Sequence, residues 1–415
     1  MKRLVFSGLF FAIFLLIVIT GGFVLSWRLL FIFCLMTTFG FFWIRVNTAK
    51  LGWRTGKIQE FYYVGDTWEE EIVITNFSPF PRYMIKIIHH VPAGLLVDTG
   101  VHYFDLPGKG SYRWNSRVTA SKRGIYHTGL FCVDISNPFG FARTLRKVSQ
   151  PQRIIVYPKL AELPYFEPFQ EQQVSARYGA WPLISETGSS AVRVREYTSS
   201  ERRARIHWPA TAHSGKLMVK EFDVERLSHF SRYVWIIPDM QKEVQVYSGK
   251  ESTEEYIIST AASLVKKYQE LNKQIGLIAS GDQTYLFEPD SDIEIISEIM
   301  KSLAVMKAEG HIPLARLLLQ SLDYFQNYSQ IAVISPSTDK DLVSALLFLR
   351  NRRFNVLAIV VDPASFGKVH ETDDTITRLT ISGIQTYVVK RNVDIGRSLD
   401  TRLIRAGLNY FGVRL

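Results

Sequence analysis

From Leu4 to Ile44 the chain is apolar apart from scattered Ser and Thr, the Gly21-Gly22 pair, Trp27 and a single charge, Arg28. A run of that length holds two spans of about 20 residues each. The pattern predicts a transmembrane helical hairpin over residues 1–50, with one helix from about Leu4 to Ile19 and a second from about Leu29 to Ile44. Gly21, Gly22, Ser26, Trp27 and Arg28 supply its turn and an interfacial aromatic. A cleaved leader is the rival reading, because Lys2 and Arg3 precede the apolar run. No small-residue cleavage site leads into polar mature sequence, however.

Beyond the hairpin the period changes to two. Short alternating runs rich in Val, Ile, Tyr and Trp predict strands at Lys57–Tyr63, Glu69–Thr75, Tyr83–His90, Tyr112–Thr119, Gly124–Ser136 and Arg153–Tyr157. Turn signals part them at Gly65-Asp66, Ser78-Pro79, Pro92-Ala93-Gly94, Pro107-Gly108 and Asn137-Pro138-Phe139-Gly140. Residues 51–158 are thus expected to form an all-β, immunoglobulin-like sandwich. Residues 159–192, with Pro164, Pro168 and Pro182 and no sustained period, read as a connector. From 193 to 415 the expectation is a signature segment followed by an α/β, Rossmann-type domain. Its buried strands are Tyr233–Ile237, Ile275–Ala279, Gln330–Ile334, Val356–Val361 and Ile384–Val389. Helical patterns at Thr253–Asn272, Asp292–Lys307, Ile312–Tyr324 and Asp339–Arg352 alternate with them, as in a mostly parallel sheet covered on both faces.

Charge orients the hairpin. Lys2 and Arg3 precede it, Arg45, Lys50, Arg54 and Lys57 follow it, and only Arg28 lies between, so both termini are expected in the cytoplasm. The membrane lipids are then met through residues 4–44. The formal net charge of +10 suits a body beside anionic head groups, and equally an acidic partner; no specific nucleic acid is expected. The two cysteines, Cys34 and Cys132, are too few for a disulfide framework or a thiolate metal site.

Chemistry-bearing motifs are sparse. No Gly-Lys-Ser/Thr triplet exists for a phosphate loop. Ser280-Gly281 and Ser335-Pro336-Ser337 make no strand-Ser-helix elbow. No cofactor is expected. Asp239 ends the first strand of the α/β domain, where such sheets place ligands, but Lys242 follows and no Ser or Thr does. It reads as a loop or helix-capping carboxylate and only weakly as a metal ligand; Asp362 reads likewise. His89 and His90, adjacent on a strand, point to opposite faces and are expected as two partly exposed histidines.

The most unusual stretch runs from Arg193 to Glu221, where Arg193, Arg195, Arg202, Arg203, Arg205, Lys216 and Lys220 face only Glu196, Glu201 and Glu221, with Tyr197 and Trp208 interleaved. Guanidinium forks and aromatic anchors in that mixture suit an acidic partner or phosphate. The alternative is a solvated face with Arg–Glu pairs, Trp208 and Tyr197 packing the segment onto the sheet. The candidate partner-binding residues are Arg195, Glu196, Tyr197, Arg205, Trp208, Lys216 and Glu221.

Arg195-Glu196-Tyr197, Arg205-Ile206-His207-Trp208 and Leu217-Met218-Val219-Lys220-Glu221-Phe222 together resemble the signature of the bacterial domain-of-unknown-function 58 family. The layout is also similar, down to the Asn137-Pro138-Phe139-Gly140 turn. Ser200-Glu201 stands where that family has Gly-Asp, and Ala204 and His213 stand where it has arginines. The resemblance implies a von Willebrand A-like final domain, a bacterial cell membrane location, and a cytoplasmic AAA+ ATPase of MoxR type as partner in a maturation or envelope role. It lacks the Asp-x-Ser-x-Ser metal ligands of von Willebrand A domains. On this reading the protein is a non-catalytic adaptor. The rival is a hydrolase acting on an envelope or lipid-linked substrate, with Glu196 or Glu201 as acid or base.

Overall fold

The structure, a computed structural model, describes residues 23–137, 143–148, 151–167, 193–196, 207–221, 232–249, 251–326, 329–352, 354–367 and 372–402. The chain divides into two compact units, Met1–Tyr157 and Pro158–Leu415, each with its own apolar cores.

The first unit opens with helix α1, Phe23–Thr48. Its Trp27–Thr48 stretch is long and apolar enough to cross a membrane, and almost none of it is buried in protein. Ser26, Trp27 and Arg28, expected in a turn, lie inside α1 instead. The physical reason is that no proline and only one glycine, Gly40, fall between Phe23 and Thr48, so nothing breaks the backbone ladder. The expected first span, Leu4 to Ile19, and the Gly21-Gly22 pair lie outside the described residues. Inside α1, Thr37 returns its hydroxyl to the carbonyls of Phe33 and Cys34, both at 3.0 Å, which keeps a polar side chain satisfied in an apolar helix.

Among the described residues eleven strands follow: β1 Leu51–Thr55, β2 Phe61–Tyr63, β3 Thr67–Asn76, β4 Arg82–His90, β5 Leu95–Val97, β6 Val101–Leu106, β7 Ser111–Ala120, β8 Gly124–Thr128, β9 Leu130–Ser136, β10 Arg143–Lys147 and β11 Gln152–Tyr157. They form two four-stranded antiparallel sheets, ordered β1-β3-β7-β5 and β10-β9-β4-β6, and a three-stranded sheet β2-β11-β8. Inward residues of the two larger sheets, among them Ile72, Ile74 and Trp114 from one and Ile85, Ile87, Phe131 and Ile135 from the other, share a core. The expected run Gly124–Ser136 is two strands, because Gly129 at φ +76° turns the chain from one sheet into another. β1, β5, β6 and β10 were not legible as strands; β5 and β10 are short edges, and β10 is nearly all exposed. A strand with no buried face has no period to display.

His89 and His90 depart from expectation: His90 is exposed while His89 is only 4% exposed. Its Nε2 lies 3.2 Å from Glu70 Oε2 and its Nδ1 2.9 Å from Ser116 Oγ, with Phe131 stacked on the ring. Glu70 also accepts from Trp68 Nε1 at 2.9 Å, from Gly129 N at 2.9 Å and from the Thr128 hydroxyl. Burial alone pushes its carboxyl up, but the bonds from His89, Thr128 and Trp68 outweigh this and hold it below the ordinary glutamate value.

One buried arginine joins α1 to the sheets. The last four carbonyls of an α-helix have no partner within it. Arg82, 1% exposed, donates from Nη1 to Val46 O at 2.8 Å and to Asn47 O, and from Nη2 to Ala49 O. Asn76 Oδ1 accepts from Arg82 Nε at 2.7 Å, and Arg146 Nη1 donates to Thr48 O at 3.1 Å. Two cations at a helix C-terminus also match the sign of its dipole.

The second unit begins with residues 158–167, whose Leu163 and Phe166 are buried in its core. Ala161 N donates to Ser263 Oγ and Glu167 N to Thr401 Oγ1, both at 2.9 Å. Its elements are β12 Arg193–Glu196, α2 Trp208–Ser214, β13 Met218–Glu221, β14 Tyr233–Pro238, β15 Tyr247–Ser248, β16 Glu251–Ser252, α3 Thr253–Glu270, β17 Gln274–Ser280, β18 Thr284–Asp290, α4 Ile293–Val305, α5 Leu314–Gln320, β19 Gln330–Ser335, α6 Lys340–Asn351, β20 Asn355–Val361, α7 Thr372–Ile381, β21 Gln385–Val389 and α8 Ile395–Ser398. Six strands make one sheet in the order β18-β17-β14-β19-β20-β21. All pair in parallel except β18, which runs antiparallel to β17.

Alternation along β14 sends Val234 and Ile236 to a core shared with α3 and α4, and Trp235 and Ile237 to one shared with α5 and α6. Helices thus cover both faces, as the continuous apolar strands require. The expected helix Ile312–Tyr324 is shorter, because Pro313 stands at its N-cap and a 3-10 turn, Leu322–Tyr324, ends it. β18 and α7 were not anticipated. The coarse expectation, a mixed α/β chain with an apolar N-terminal helix and a large β-rich region, holds.

Candidate functional site

The signature segment is a small hairpin of its own. β12 and β13 pair antiparallel, with Arg193 opposite Glu221, Arg195 opposite Val219 and Glu196 opposite Met218. Between them, α2 starts at Trp208 with Pro209 in its first turn, where a missing N–H costs nothing. His207 caps it, Nδ1 accepting from Ala210 N at 3.0 Å, while His207 N donates to Met218 O at 2.7 Å. Thr211 Oγ1 accepts from Met218 N at 3.0 Å, and Gly215 closes the helix at φ +68°. The N-cap and the middle of this short helix are therefore both tied to β13, at Met218.

None of the seven residues of α2 is buried, and Trp208 is 66% exposed. The alternative in which Trp208 packs the segment onto the sheet is not what the fold does. His213 on the same short helix and Lys216, just past its Gly215 cap, are exposed. Arg195 and Glu196 lie on β12 and Glu221 ends β13. Tyr197, Glu201 and Arg205 lie outside the described residues.

A second polar cluster occupies the carboxyl ends of the parallel strands. Asp239 follows β14 and is buried, with Oδ2 accepting from Ser335 Oγ at 2.6 Å and Oδ1 from Gln241 N at 3.1 Å. Burial raises its carboxyl to about 6, and nearby Asp339 adds to this, while the bonds from Ser335 and Gln241 restrain the rise. Its backbone carbonyl takes Gln245 Nε2 at 2.9 Å, and Gln245 Oε1 takes Thr253 Oγ1 at 2.7 Å. After β20, Asp362 Oδ1 accepts from Ala364 N at 3.1 Å and Thr372 Oγ1 at 2.8 Å. Gly310 bridges to Gln241 so closely that a β-carbon would fall 2.0 Å from Ser280 O. Only glycine permits that approach.

Asp239 thus serves as a loop-closing carboxylate, with both oxygens engaged inside the fold. Among the described residues no three His, Cys, Asp or Glu side chains stand where they would hold a metal ion. Ser335 was singled out in sequence only as a failed nucleophile, and its partnership with Asp239 was not foreseen. The available signal was its place at the end of the strand beside β14.

No curated protein matches this chain. Among solved structures, proximal thread matrix protein 1 from the mussel byssus is similar at 12% identity over 42% of this chain and 46% of its own, with a TM-score of 0.30. Native Escherichia coli alpha-2-macroglobulin, from domain MG7 to the C-terminus, is similar at 13% identity over 36% of this chain and 22% of its own, TM-score 0.22. The cupredoxin domain of amoB from Nitrosocaldus yellowstonii is similar at 10% identity over 26% of this chain and 88% of its own, TM-score 0.18. The chain thus spans less than half the length of the first two. Residues 193–367, from the β12–α2–β13 hairpin to the turn after β20, match the family described as "Protein of unknown function DUF58", which supports the resemblance of the signature over that span.

Proposed function

We propose that this protein is a membrane-anchored interaction module that docks another protein through the β12–α2–β13 hairpin. The observation that carries the reading is Trp208: a large aromatic left 66% exposed on a helix that buries nothing, with His213 and Lys216 exposed on the same short segment. Tryptophan and arginine are among the residues that dominate protein interfaces. Arg195, Glu196, Tyr197, Arg205, Lys216 and Glu221 are the further contact candidates. The family resemblance gives the partner its class, a cytoplasmic AAA+ ATPase of MoxR type, and gives the α/β domain its von Willebrand A-like character. A bacterial cell membrane location with both termini in the cytoplasm completes the reading.

The test is affinity capture of the full chain from solubilised membranes. Wild type is expected to recover an AAA+ ATPase, and Trp208→Ala or Arg195→Glu to lose it about ten-fold or more, the effect of one interface anchor. Equal recovery with both variants would place the docking surface elsewhere.

A further inference from the structure

The end of the β-rich unit next to α1 carries an apolar surface that the fold leaves uncovered. β1 leaves the helix and β3 returns to it, pairing Asn76 with Leu51. The β3–β4 loop, Phe77-Ser78-Pro79-Phe80-Pro81, is therefore brought back beside the helix terminus. Phe77 N donates to Lys50 O at 3.0 Å, and a β-carbon on Gly52 would fall 2.5 Å from the Phe77 ring. The β6–β7 loop joins it, with Lys109 N on Ser78 O at 2.8 Å and Asn76 N on Gly110 O at 2.9 Å. Asn76 Nδ2 ties both loops by donating to Phe80 O at 2.9 Å and Pro107 O at 3.0 Å. Arg82, one residue past the loop, holds the carbonyls of Val46 and Asn47 in α1 and of Ala49 just beyond it.

Phe77 and Phe80 are 65% and 66% exposed in this pinned arrangement. Arg45, Lys50 and Lys109 are exposed around them, and the stretches 77–81 and 107–110 contain no acidic residue. Aromatic side chains ringed by basic ones match the head-group zone of a bilayer, where rings enter the acyl boundary and cations meet phosphate. The occupant is already at hand, because the exposed apolar surface of α1 at Phe41 and Phe42 stops little more than two turns before the same loop's anchor at Lys50. We propose that Phe77 and Phe80 enter the interfacial layer of the bilayer that α1 crosses, with Lys50 and Lys109 among anionic head groups. The β-rich unit is then seated on the lipid, its depth set by the Arg82 clamp. This inference rests on the reading of α1 as a membrane span.

Nitroxide labels on the full chain in vesicles of phosphatidylcholine and phosphatidylglycerol separate the two readings. Three samples are compared, every protein in the experiment carrying Cys132→Ser so that one thiol is labelled at a time: native Cys34 in α1, Phe80→Cys with Cys34→Ser, and Lys122→Cys, at the opposite end of the unit, with Cys34→Ser. The expected result is that positions 34 and 80 are open to dissolved oxygen and several-fold less accessible to an aqueous nickel complex than position 122. A lipid-exposed position 34 with position 80 as accessible to nickel as 122 overturns the inference and spares the anchor. Shielding of position 80 from both reagents means that a protein, a second copy included, covers the loop, which also overturns it. A water-exposed position 34 removes the anchor and the inference together. Phe77→Ser with Phe80→Ser, labelled at 34, is expected to leave the span in lipid, which shows that the loop variants still fold and insert.

Discussion

Glu70 and Asp239 are buried carboxyls with opposite titration, one in each unit. Glu70 titrates lower in the folded protein than in the unfolded chain, so it stabilises the fold above the ordinary glutamate value and the contribution is lost as pH falls through its lowered one. Glu70→Ala strands His89, Trp68 and Gly129 without their acceptor and is expected to cost about 3 kcal/mol, read as a lower melting temperature at pH 7. The loss should shrink as pH falls below the ordinary glutamate value towards the lowered one. Asp239 is raised from 3.8 to about 6, so the sign reverses: its contribution is whole below the ordinary aspartate value and is lost as pH rises towards 6. Asp239→Asn, which keeps an acceptor for Gln241 and offers a donor to Ser335, is expected to stabilise its unit above pH 6 by up to about 3 kcal/mol. A melting temperature that is unchanged at pH 7.5 would show that Asp239 carries no such penalty. Sequence showed both carboxylates as residues at strand positions. Their protonation was invisible there, because it depends on Ser335, His89 and Thr128, which are brought from distant strands.

At the scale of elements, the joint between α1 and β4 is the feature on which most depends. Arg82→Met keeps the bulk of the side chain but removes every donor to Val46, Asn47 and Ala49, and leaves Asn76 Oδ1 without Arg82. Amide exchange across Asn47–Lys50 is expected to rise roughly ten-fold or more, the effect of losing about 1–3 kcal/mol of hydrogen bonding, with exchange in β7 unchanged. Equal protection in the variant would mean that the clamp does not hold the helix end. The period of the sequence revealed the long strands β3, β4 and β7 and the buried strands β14, β17, β19 and β20, since each has a continuous or alternating apolar face. It hid β10 and the edge strand β18, whose exposed sides carry polar residues. It also misplaced Ser26, Trp27 and Arg28, because residues typical of a membrane interface fit a turn and a helix end equally well.

For the whole molecule, each unit has its own cores, so calorimetry of the detergent-solubilised chain is expected to show two transitions. Glu70→Ala should lower one and leave the other in place, and Asp239→Asn should raise the second alone. Movement of both by either variant would make the chain a single cooperative body. What the sequence determined by itself was the inventory of segments: an apolar N-terminal stretch, a β-rich region, alternating strands and helices, and a signature matched over residues 193–367. Such properties are written in local period and composition, which need no partner to exist. What only the tertiary structure decided was which side chains meet and which stay uncovered. The register of β1 on β3 sets Phe77 beside Lys50, Arg82 finds the helix carbonyls across more than thirty residues of chain, and α2 is held on β13 with Trp208 facing out. Hydrogen bonding and burial act through space, so contacts between residues far apart in the chain follow from its path and not from their order along it.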